Sequence, residues 1–90
     1  MVEEKLIEMF IKCAIEAELF NDSEEIKVLI KRRIIPMQTV RNFTICRMFD
    51  KALVANKNNI THTLDDLADD FGISEWQVRR IYNSNKRLFT

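Results

Sequence analysis

Near the C-terminal end of this 90-residue chain, the run from Ser74 to Asn83 (Ser-Glu-Trp-Gln-Val-Arg-Arg-Ile-Tyr-Asn) interleaves hydrogen-bonding and apolar side chains at helical spacing. If Val78 and Ile81 face inward, Ser74, Glu75, Trp76, Arg79, Arg80 and Asn83 are left facing outward. The chemistry of that set is definite. A guanidinium from Arg79 or Arg80 offers two parallel donors that match O6 and N7 of guanine, Asn83 can pair with adenine, and Glu75 can accept from N4 of cytosine. Ser74 and Gln77 stand at the start of the helix, where unpaired backbone N–H groups favour a phosphate. Trp76 can lie against a thymine methyl or a sugar, or fold back on the core; partial burial at the edge of the groove is the expectation. Lys86 and Arg87, placed past the end of the helix, can track a nucleic-acid backbone, while Leu88 and Phe89 are expected to pack back on the core.

Such a face needs a helix held at a fixed angle, and the preceding residues are suited to hold it. Leu64, Leu67, Ala68 and Phe71 recur at i, i+3, i+4 and i+7 and share one helix face. Gly72, the only glycine, falls where that helix must end, and glycine accepts the left-handed conformation such an end requires. Ile73 is an apolar plug. Ser74 can cap the next helix, with Gln77 three residues on completing a capping box. Val78, Ile81 and Tyr82 then form the second apolar stripe. Ala68 is small where two helices would cross closely. Leu64 to Asn83 thus looks like a helix-turn-helix, the unit that lays its second helix in the major groove. The plainer alternative is a helical hairpin with a glycine break, which predicts neither the small residue nor the capped second helix.

The rest of the chain reads as support. Val2 to Phe20 is expected to form one amphipathic helix, with Leu6, Phe10, Cys13, Ala17 and Phe20 on a stripe widened by Ile7, Ile11, Ala14 and Ile15. That wide arc admits two readings, core packing or pairing with a second copy in a homodimer. Ser23 is expected to cap a second helix whose first turn holds Glu24 and Glu25 and whose end holds Lys31, Arg32 and Arg33, a charge order that suits the helix dipole. The basic triplet also suits a phosphate contact. Pro36 keeps Ile35 extended. A third helix starts between Met37 and Asn42, with Thr39 or Asn42 as caps, and runs to about Ala55. Asn56 to Asn59 is a polar connection, and Thr63 is expected to cap the first motif helix with Asp66 as its partner. The fold class expected is all-α: a small bundle of about five helices in a single domain over residues 1–90, with 1–58 as helical support and 61–90 as the helix-turn-helix.

Composition bounds the function. One glycine and one proline leave little room for turns between strands. No uncharged apolar run is long enough to span a membrane, the N-terminus lacks the basic-then-apolar order of a secretory signal, and a cytoplasmic setting fits. With His62, Cys13 and Cys46 could supply three metal ligands, but no ligand spacing supports a metal, and two reduced thiols packed as small apolar groups is the favoured reading. No cofactor is expected. The single histidine, and the lack of a glycine-rich phosphate loop or of a carboxylate pair set in an apolar cleft, argue against an enzyme. Equal numbers of acidic and basic residues argue against tight binding to nucleic acid by bulk charge, but the charges are segregated. Residues 1–25 carry eight acidic and two basic groups, and residues 26–58 eight basic and one acidic. Asp65, Asp66, Asp69 and Asp70 make the first motif helix acidic. They can pair with the basic segment 27–51 or face another protein, RNA polymerase being the partner expected of a regulator.

Ile35-Pro36, Arg41, Ile45 and Phe49, followed by a polar stretch and LADDFGISEWQVRRI, are similar to the Mor/C family of phage middle-operon activators. That resemblance implies a small dimeric DNA-binding activator carried by a phage or mobile element, with an N-terminal dimerisation part and a C-terminal helix-turn-helix. TLDDLADDFGISEWQVRRI is also similar, as a second choice, to the promoter-reading C-terminal region of bacterial sigma factors. Both imply sequence-specific binding of double-stranded DNA in transcription regulation; the residues that the outward face and end of the second helix offer for it are Ser74, Glu75, Trp76, Gln77, Arg79, Arg80, Asn83, Lys86 and Arg87. The competing reading is a protein-interaction module of the same shape with little DNA affinity.

Overall fold

The structure, a computed structural model, describes residues 2–89, with side-chain surroundings for 2–85. It is all-α: five helices and, among the described residues, no strand. They are α1 (Glu3–Glu16), α2 (Ser23–Lys31), α3 (Met37–Ala55), α4 (Ile60–Phe71) and α5 (Glu75–Phe89). None is long and apolar enough to cross a membrane. The chain gathers into two compact units, Val2–Thr44 and the stretch from Ile45 onward, and passes from one to the other within α3.

In the N-terminal unit α1 packs on α2. Its core is Phe10, Ile11, Cys13 and Ala14 of α1, Ile26 and Ile30 of α2, and Val40 and Phe43 of α3. Phe10 meets Phe43 edge to face, with ring centroids 5.4 Å apart. The Thr44 hydroxyl, fully buried, donates to the Val40 carbonyl at 2.7 Å, so burial leaves it no unmet donor.

Three expectations are corrected here. The first helix stops at Glu16, short of Phe20. Glu18 turns left-handed (φ 59°), and the Leu19 N–H donates back to the Ala14 carbonyl, closing the helix end. No glycine or proline marks that end. The second helix is capped by Asp22, not Ser23: the Asp22 carboxylate accepts from the Glu24 N–H at 2.9 Å and Ser23 is already helical. Likewise Thr39 and Asn42 lie inside α3, whose first turn is set by Pro36, with the Val40 N–H donating to the Pro36 carbonyl.

In the C-terminal unit α4 packs on α5. Its core is Ile45, Cys46 and Phe49 of α3, Leu64, Leu67 and Phe71 of α4, and Val78 of α5. Phe49 and Tyr82 stack at 4.0 Å, and the Tyr82 hydroxyl donates to Asp50 at 2.7 Å. Both cysteines are buried and neither forms a disulfide.

Candidate nucleic-acid interface

Asparagines hold the start of α4. Asn59 caps it, accepting from the His62 N–H at 3.0 Å. Thr63, the expected cap, lies one turn inside the helix, fully buried, and its hydroxyl donates to the Asn59 carbonyl at 2.8 Å. The helix starts early because the asparagine side chain reaches its N–H groups one turn before Thr63 can. Asn56 then donates to both the Thr63 hydroxyl and the Asp66 carboxylate, each at 3.1 Å. Asp66 therefore belongs to this knot, with the His62 imidazole 3.7 Å away, and Asp65, Asp69 and Asp70 are the acids exposed on α4.

The turn after α4 forms as its residue types require. Gly72 is left-handed (φ 67°, ψ 35°), and the Ala68 carbonyl accepts from the N–H groups of both Gly72 and Ile73. A side chain with a Cβ would be disfavoured at this φ. Ser74 and Gln77 close a reciprocal capping box: the Gln77 N–H donates to Ser74 Oγ at 3.1 Å and the Ser74 N–H to Gln77 Oε1 at 3.0 Å. Four residues after Ser74, Val78 is fully buried, which fixes how α5 is rotated.

That rotation sorts the remaining side chains. Ile81 and Tyr82 are half-buried on the Val78 side; Ser74, Glu75, Trp76, Gln77, Arg79, Arg80 and Asn83 are all exposed. Glu75, Arg79 and Asn83 follow one another at four-residue intervals, as do Trp76 and Arg80, so the outward set is contiguous. Trp76 corrects an expectation. It is 65% exposed rather than partly buried, because it lies two residues from Val78 and so on nearly the opposite side of the helix. Its ring is covered instead by Arg80, whose guanidinium carbon lies 5.4 Å from the ring centroid. The Ser74 and Gln77 side chains are engaged with each other, which leaves backbone N–H groups of the first turn of α5 to meet an anion. The backbone of α5 continues through Lys86 and Arg87, which were placed beyond the helix; their side chains, and those of Leu88 and Phe89, lie outside the described residues.

The Asp50–Tyr82 bond was not foreseen, although Asp50 is the only acid between Ile26 and Asn58, and a lone carboxylate in a basic stretch asks for a partner. That bond and partial burial push the Tyr82 hydroxyl up to about 12. Burial, and then the Asp50 charge, push the Cys46 thiol up to about 11, so it stays protonated and unreactive at neutral pH. No protein-family model, curated protein or solved structure matches the chain.

Proposed function

We propose that the chain binds double-stranded DNA sequence-specifically as a transcriptional regulator, using α4, the Gly72 turn and α5 as a helix-turn-helix with α5 in the major groove. One observation carries the reading: a single capped helix buries Val78 and turns Glu75, Trp76, Arg79, Arg80 and Asn83 to solvent as one face. Each of those polar types has a base edge it can read, and the first-turn N–H groups give the helix a phosphate to lean on. The Trp76 ring holds the Arg80 guanidinium in place, which lowers the entropy that guanidinium loses on meeting guanine.

The test is selection from a pool of random duplexes at low and at higher salt. Enrichment of one motif is expected. Arg79→Ala/Arg80→Ala should abolish that enrichment, losing about 1–3 kcal/mol per bidentate contact. No binding to any duplex at low salt would retire the proposal.

Exposed Asp65, Asp69 and Asp70 favour a second reading, a protein-interaction module that meets RNA polymerase or another protein through α4. Under that reading Asp65→Asn/Asp69→Asn/Asp70→Asn abolishes partner binding while Arg79→Ala/Arg80→Ala leaves it unchanged.

A further inference from the structure

The outward face of α5 divides by register into two stripes. Successive residues of a helix turn by about 100°, and fully buried Val78 marks the inward direction. Measured from it, Trp76, Arg80 and Asn83 all fall within about 40° of the direction that points straight away from the core. Glu75 and Arg79 fall at about 60° and 100° from Val78, on the flank where half-buried Tyr82 lies. The outer stripe is exposed throughout, and Trp76 is the one exposed aromatic side chain among the described residues. The Arg80 guanidinium lies over its ring, 5.4 Å from the centroid. Among the described residues neither side chain is held by a hydrogen bond or an ion pair.

Cation and ring form a unit with two surfaces of different chemistry. The guanidinium edge presents two parallel donors, and in the major groove guanine alone sets two acceptors, O6 and N7, to meet them. In that contact the guanidinium lies in the plane of the base. The ring stacked against it then lies out of that plane, beside the neighbouring base pair, since successive pairs are about 3.4 Å apart along the axis. What the ring can gain there depends on apolar surface. Thymine supplies it, with a C5 methyl that projects into the major groove, and cytosine has a bare C5. We infer that Trp76 and Arg80 together read one dinucleotide step, a thymine beside a guanine, with Arg80 on the guanine and Trp76 on the thymine methyl, and that Arg79, on the flank, meets phosphate at the groove wall. The inference rests on the DNA reading of α5 and adds to it which side chains specify sequence and which only position the helix.

The experiment takes the motif selected from random duplexes and removes one methyl group from it. Uracil in place of the thymine keeps every base-pairing group and deletes the C5 methyl alone. The unaltered chain should bind the uracil duplex about fourfold more weakly, the loss expected when one methyl group is returned to water. That comparison leaves the protein untouched, so it does not depend on any variant folding. Trp76→Ala, its fold checked by circular dichroism, should bind the thymine duplex more weakly than the unaltered chain does and make no distinction between thymine and uracil. Arg80→Lys should relax the preference for guanine at one position, while Arg79→Ala should weaken all duplexes alike and lower the salt dependence. A selected motif without a thymine beside a guanine, an unaltered chain indifferent to the methyl, a Trp76→Ala variant that still responds to it, or a base-specific loss in Arg79→Ala would each overturn the inference and leave DNA binding standing. Failure to select any motif would retire the DNA reading itself, and this inference with it.

Discussion

The Asp50 carboxylate decides how Tyr82 behaves with pH. The hydroxyl donates to it at 2.7 Å, so deprotonation would both break that bond and set two anions side by side; the hydroxyl is pushed from an ordinary 10.0 up to about 12. A folded-state pKa above the unfolded one stabilises the fold fully below the unfolded value and loses that contribution as pH rises through the folded value. Stability should therefore decline between about pH 10 and 12 through this residue. Tyr82→Phe keeps the stack on Phe49 and removes the bond. It should cost about 1 kcal/mol at neutral pH and flatten the alkaline decline, as read by urea unfolding at several pH values. An equal decline in both proteins would remove Tyr82 as its source. At the same scale, Trp76 shows where residue type misleads. A tryptophan suggests burial, but its register relative to Val78 places it outward, and register is the stronger constraint.

Helix termini separate what could be read in advance from what could not. The turn between α4 and α5 was legible in full, because its φ of 67° falls on the chain's one glycine and its capping box has the expected residue types. The ends of α1, α2 and α3 close with the same backbone bond, from Leu19 to Ala14, Ile34 to Leu29 and Asn58 to Leu53, yet place Glu18, Arg33 and Lys57 at positive φ. Those residue types give no local sign of a left-handed bend, so the helix expected to reach Phe20 ends four residues sooner. The starts of α2 and α4 were misplaced for a related reason. Where Asp22 and Ser23, or Asn59 and Thr63, are all good caps, only the observed bond decides between them. The outward face of α5 was legible because a single buried valine orients it, whereas the Asp50–Tyr82 bond joins residues 32 positions apart and has no local signature. A non-glycine left-handed residue costs about 1 kcal/mol, so Glu18→Gly should stabilise the chain by up to about that amount despite the added freedom of the unfolded state. A thermal midpoint that falls instead would mean the Glu18 side chain contributes more than its backbone conformation costs.

Over the whole molecule the charges cancel, and that balance bears on how DNA would be found. The outward face of α5 offers Arg79 and Arg80, but Asp65, Asp69 and Asp70 are exposed on the preceding helix of the same unit. At about 10 Å in water a unit charge contributes roughly 0.4 kcal/mol before screening, and salt reduces this further. Three such carboxylates thus oppose a phosphate backbone by about 0.5–1 kcal/mol at low salt. Because the repulsion depends on phosphates and not on bases, it falls equally on every sequence. Asp65→Asn/Asp69→Asn/Asp70→Asn should therefore strengthen binding to selected and random duplexes by the same few-fold factor at low salt and leave their ratio unchanged. The factor should shrink towards one as salt rises. Asp66 is kept out of the variant because its bond from Asn56 belongs to the start of α4. A change in the ratio would show that one of these aspartates touches a base or positions a residue that does. An unchanged affinity for both duplexes would place the acidic surface away from DNA and available to another molecule, where the loss of partner binding expected of the second reading is the measurement to make on the same variant.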